Sequence, residues 1–145
     1  MPEATKHKRL LGFDFGLKQI GVASGQTLTL SATGLTILKA VDGIPNWEQV
    51  EKLLAEWKPD LVVVGLPLNM DDSESDLSNR ARKFARRLHG RFAVDVEMVD
   101  ERLTSREAKS LGRDQGTQDL TKIDHIAASL ILQSWLDTPS IGSAP

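Results

Sequence analysis

Leu61-Val62-Val63-Val64-Gly65 contains no polar side chain, so it reads as a strand buried on both faces, bounded on one side by the helix-ending Pro59-Asp60. A second apolar run, Leu10-Leu11-Gly12-Phe13-Asp14-Phe15-Gly16, has the same character except for one carboxylate. Two such strands require cover, and the rest of the chain supplies it. Asn46 is a suitable N-cap for a helix with Trp47, Val50, Leu53, Leu54 and Trp57 on one face. Ala81, Phe84, Ala85 and Leu88 form the stripe of a second helix that stops near Gly90, and a last helix spans about 120–136. Gly21–Gln26 and Leu35–Leu38 read as further strands, and 93–99 alternates Val94, Val96 and Met98 with Asp95 and Glu97, as a strand near an edge does. Thr104-Ser105-Arg106-Glu107 reads as a capping box that opens a short helix, and 111–119 as a glycine-containing loop. A meander of strands followed by strands alternating with helices predicts an α/β fold, a mixed sheet covered by helices.

The chain has 145 residues, enough for one domain with a real core. Residues 1–8 are expected to be loose, 9–137 to form the domain, and 138–145 to fray as a tail. The absence of cysteine excludes disulfides, thiolate zinc sites and a cysteine nucleophile. Lys6 to Arg9 resembles the basic start of a signal peptide, but Asp14 interrupts the apolar stretch that follows. No segment approaches the roughly 20 apolar residues of a membrane span. The expected compartment is therefore the cytoplasm. A net charge of −2 argues against a polycation that coats nucleic acid, while leaving room for a local basic site.

Asp14 needs a chemical reason, because an ionised carboxylate in a buried strand is costly unless a cation or a set of donors meets it. Two other places supply acids. Asp124 shares a helical stripe with Ala127, Ala128, Ile131 and Trp135, the stripe expected to face the sheet. On its own it could equally be a first-turn acid favoured by the helix dipole. Asp100-Glu101 lies where a strand gives way to a loop, a common position for sites, though also for solvated turns. Acids from a central strand, a strand end and a packed helix could converge on a hard cation, Mg²⁺ or Mn²⁺. Two such ions about 4 Å apart are the apparatus of phosphodiester cleavage.

Four strings, Gly12-Phe13-Asp14-Phe15-Gly16, Val64-Gly65-Leu66-Pro67-Leu68-Asn69-Met70-Asp71, Asp100-Glu101-Arg102-Leu103-Thr104 and Lys122-Ile123-Asp124, resemble in content and order the bacterial YqgF family, also called RuvX. The similarity spans roughly residues 9 to 137. It implies a ribonuclease H-like fold with a five-stranded mixed sheet, a divalent-metal nuclease site and a cytoplasmic location. It also implies maturation of the 5′ end of pre-16S ribosomal RNA within a pre-ribosomal particle, or cleavage of Holliday junctions in DNA. Carried onto this chain, the resemblance makes Asp14, Glu101 and Asp124 the catalytic residues and metal ligands, with Asp100 supporting Glu101 from behind. Strand parity alone leaves open which of Asp100 and Glu101 points at the metal. Asp72 stands where many relatives have glycine, and His125 stands where a small polar residue is frequent; a histidine there could assist proton transfer or serve as a ligand, but His125 reads more readily as a helix-surface residue.

Arg80, Lys83, Arg87 and Arg91 fall on one helical stripe, suited to a phosphate backbone or, alternatively, to a solvated face balanced by Asp72, Glu74 and Asp76. Lys18, in the turn after Asp14, and Arg102, beside Glu101, are closer in sequence to the acids and are candidate substrate contacts. Phe13, Phe15, Trp47 and Trp57 all read as core, so platforms for base stacking are not expected. Two other functions compete with the nuclease. Asp-Phe-Gly before a turn also resembles the phosphate loop of actin-like ATPases, but those need two such domains. The other is a non-catalytic RNA-binding assembly factor.

Overall fold

The computed structural model describes residues 8–68, 71, 73–101 and 120–145, without the side chains of 120–126 and 140. Six strands form one sheet in the order β4-β3-β2-β1-β5-β6. They are β1 (Arg9–Asp14), β2 (Gln19–Gln26), β3 (Ser31–Val41), β4 (Ile44–Pro45), β5 (Leu61–Leu66) and β6 (Val96–Asp100). The first four run antiparallel in sequence, whereas β5 pairs with both β1 and β6 in parallel. The described helices are α1 (Trp47–Trp57), α2 (Asp76–Phe92) and α3 (Leu120–Asp137). The expected capping box at Thr104 and the loop at 111–119 lie outside the described residues.

Strand alternation divides the core into two layers. Leu11, Phe13, Val62, Val64, Leu66 and Met98 pack under α1 and α2, together with Val50, Phe84 and Leu88. Leu10, Val63 and Val99 point the other way and meet Ala128, Ile131, Leu132 and Trp135 of α3. Asn46 caps α1 by accepting from the Glu48 amide at 2.9 Å, and Ser75 and Ser78 cap α2 reciprocally. α2 continues past Gly90 to Phe92, where Ala93 in the left-handed region ends it.

The sheet has one strand more than expected, because a tight hairpin adds β4. Its turn residues Asp42 and Gly43 have φ of 51° and 80°, the double positive φ of a type I′ turn. β3 is also far longer than Leu35–Leu38. Most of its side chains are partly or fully exposed, so backbone pairing with β2 defines it rather than an apolar pattern. At the other edge, residues 139–141 form a 3₁₀ turn and Ser143 exchanges two backbone hydrogen bonds with Met98, at 2.7 and 3.0 Å. Within 138–145, Ser143 is thus bridged to β6.

Candidate active site

Asp14 is the last residue of β1 and has the same parity as Leu10, which places it on the α3 side of the sheet. Glu101 follows β6 directly and shares parity with Val99, also on the α3 side. β5 lies between these two strands. The carboxyls nevertheless meet and share a hydrogen bond across it. Burial pushes the Glu101 carboxyl up from 4.5 to about 10; the hydrogen bond to Asp14 and the charges of Asp14 and Asp100 add to the effect. Burial also raises Asp14, while the hydrogen bond from Glu101 works against that rise. The hydrogen bond thus favours a proton on Glu101, with its hydroxyl donating toward Asp14.

Asp100 lies beside Leu66 in the β5–β6 register and has the parity of Met98, so it belongs to the opposite face. Its part is electrostatic: its charge is one cause of the high proton affinity of Glu101. Of the two adjacent acids, Glu101 is the one beside Asp14.

Glycines that sequence reasoning passed over make this arrangement possible. A Cβ on Gly12 would lie 3.0 Å from Leu132 Cβ and 3.2 Å from the Ala128 carbonyl oxygen, so α3 lies almost against β1. Asp124 sits four residues before Ala128, one turn earlier at the same helical register. Its side chain lies outside the described residues, as does Arg102. A Cβ on Gly65 would come within 2.7 Å of Glu101 Oε1. The signal for both was present in the sequence as glycine inside an apolar strand, a sign of close approach.

The candidate cations divide differently. Lys18 is exposed in the β1–β2 turn, where its carbonyl accepts from the Ala40 amide at 2.8 Å. Arg80, Lys83 and Arg87 sit on α2, across the sheet from α3, and line a groove of about 460 Å³ with Phe15, Trp47 and the β3–β4 turn. Arg80 is paired with Asp76 at 3.0 Å, and Arg91 lies 4.5 Å from the centre of the Trp47 ring. The stripe and the acid pair thus occupy opposite faces.

Two buried carboxyls side by side attract positive charge, and oxygen donors of this kind suit a hard divalent cation. Among the described residues, no group of three or more His, Asp or Glu comes together.

The fold resembles that of Holliday junction resolvases. RuvC of Thermus thermophilus, solved with its junction substrate, superimposes with a TM-score of 0.55 at 16% identity, covering 94% of this chain and 98% of that one. The fowlpox virus resolvase bound to junction DNA gives 0.56 at 15% identity, covering 90% and 98%. This is a ribonuclease H-like α/β fold. Much nearer in sequence are two proteins named "Putative pre-16S rRNA nuclease". The one from Pseudomonas putida is 58% identical over 132 residues, covering 88% of this chain and 94% of its own length. That from Marinobacter nauticus is 56% identical over 132 residues, covering 89% and 92%. The RuvX family model, described as Holliday junction resolvase, matches residues 8–138. The chain belongs to the RuvX family, a class of hydrolases that cleave phosphodiester bonds.

Proposed function

We propose that the chain is a divalent-metal-dependent nuclease that acts in the cytoplasm on the 5′ end of pre-16S ribosomal RNA. The observation that carries this reading is the Asp14–Glu101 pair, two buried carboxyls drawn together across an intervening strand. Asp14, Glu101 and Asp124 would hold Mg²⁺ or Mn²⁺. Two bound ions supply an activated water and stabilise the leaving oxygen in phosphodiester hydrolysis. The chain's own contribution is placement. β1 and β6 fix two carboxylates on rigid strand ends, and α3 is held against β1 at Gly12, which brings its first turns toward the same end of the sheet. Asp100 adds negative charge behind Glu101 and favours occupation by a cation over an empty pair of anions. Lys18 and Arg102 are assigned to the phosphates beside the cut bond. Arg80, Lys83 and Arg87 are assigned to the strand farther away, since they lie on the other face.

RNA as substrate follows the printed names of relatives more than half identical to this chain. The fold similarity and the family description favour a second substrate, the four-way DNA junction. A cleavage assay with a 5′-extended 16S precursor and a four-way junction, each with Mg²⁺, Mn²⁺ or EDTA, separates the two. Metal-dependent cleavage of the precursor is expected, and Asp14→Asn should reduce it at least about 100-fold. Cleavage of the junction alone would move the assignment to DNA. Equal cleavage in EDTA would refute the metal-dependent reading.

A further inference from the structure

We infer that Gly65 is a positioning residue for Glu101: the missing side chain on β5 is the passage through which the Glu101 carboxyl reaches Asp14. The inference rests on the proposed reading of the acid pair and concerns how that pair is assembled.

The geometry begins with strand order. β5 separates β1 from β6, and at about 4.8 Å per strand the two acid-bearing strands are roughly 10 Å apart. The β1–β5 register, with Phe13 beside Val64, sets Asp14 level with Gly65. Gly65 is in turn paired with Val99. Asp14, Gly65 and Val99 therefore form a row across the α3 face, and Glu101 begins two residues beyond the end of that row. To meet Asp14, its side chain must fold back over β5. A Cβ at position 65 would lie 2.7 Å from Glu101 Oε1 and 2.8 Å from Glu101 Cγ, closer than real Cβ contacts come. The same Cβ would lie 2.6 Å from Ile131 Cδ1 of α3. Gly65 stands in regular strand between Val64 and Leu66, all of it buried, so no left-handed turn explains the residue. Glycine weakens a strand interior, and here the space it leaves is filled by a carboxylate.

Two contacts converge on this point, so the test must separate Glu101 from Ile131. The variants are Gly65→Ala, Glu101→Ala, the two combined, and Gly65→Ala with Ile131→Val, which removes the Ile131 methyl that collides. The readouts are metal-free Tm, the rise in Tm on adding Mn²⁺, and kcat/KM for cleavage. Gly65→Ala should abolish most of the Mn²⁺-induced rise and lower kcat/KM about 100-fold, as a 1 Å misplacement can. In the Glu101→Ala background the same substitution should have no further effect on the Mn²⁺ response, and its effect on metal-free Tm should shrink. Gly65→Ala with Ile131→Val should regain metal-free Tm without regaining the Mn²⁺ response.

A wild-type Mn²⁺ response in Gly65→Ala would overturn the inference. So would its recovery through Ile131→Val, which would make Gly65 a packing residue for α3. If wild-type protein shows neither a Mn²⁺ response nor cleavage, the nuclease reading fails separately. The metal-free cycle then decides the positioning alone: non-additive effects of Gly65→Ala and Glu101→Ala support it, and additive effects overturn it.

Discussion

Asp14 and Glu101 set the chain's stability against its site. Without metal, the folded chain holds a proton on Glu101 up to about pH 10, whereas an unfolded glutamate releases it near 4.5. The folded pKa is the higher one, so the pair's contribution is fully present below about 4.5 and is lost as pH rises toward 10. Glu101→Gln removes the penalty while keeping the shape. In EDTA at pH 8 the variant should melt higher than wild type, on the order of 5 °C, as about 1–2 kcal/mol produces in a domain of this size. The gain should shrink toward pH 4.5 in a Tm series across pH. A variant that melts lower at pH 8 would mean that the pair stabilises the fold and is not a strained site.

At the scale of elements, the hairpin between β3 and β4 offers a control away from the acids. Gly43 has φ of 80°, and a Cβ there would lie 2.6 Å from Phe15 Cζ. Gly43→Ala should therefore destabilise by about 2 kcal/mol in denaturant unfolding and leave Mn²⁺ affinity unchanged. This hairpin also shows what was legible. Val41-Asp42-Gly43-Ile44 carries the Asp-Gly signal of a two-residue turn, but so short a strand has no periodicity to reveal it. β1 and β5 were legible because burial on both faces leaves a continuous apolar run. β3 was not, because it is half-exposed and defined by pairing to a strand elsewhere in the sequence. The helix α1 announced itself through its stripe and its N-cap Asn46, and α2 through its stripe, while the Ser75 cap and the end of α2 beyond Gly90 were not read from the sequence.

Across the whole molecule, the acids lie with α3 and the α2 cations with the other layer. A nucleic acid touching both would pass over the edge of the sheet where β1 and β6 end. Lys83→Ala combined with Arg87→Ala should raise KM several-fold for a long RNA, leave kcat unchanged, and flatten the salt dependence of binding by roughly two contacts. A fall in kcat with KM unchanged would place these cations at the chemistry instead. Each acid was visible in the sequence as an anomaly and their convergence was expected, but the way in which Glu101 reaches Asp14 was not. It depends on strand order, on the parity of β6 that separates Glu101 from Asp100, and on a glycine in the strand between. Those are properties of the assembled sheet, and only the sequence of glycines inside apolar strands hinted at them.

The central claim is that Asp14 and Glu101 act as one cation-binding pair. Calorimetric titration of Mn²⁺ into wild type, Asp14→Asn and Glu101→Gln tests it most directly, with circular dichroism confirming the fold of each. Loss of either acid is predicted to weaken Mn²⁺ binding by at least about 100-fold, since a ligand should matter no less than the groups supporting it. Mn²⁺ binding that survives both substitutions at wild-type affinity would contradict the account.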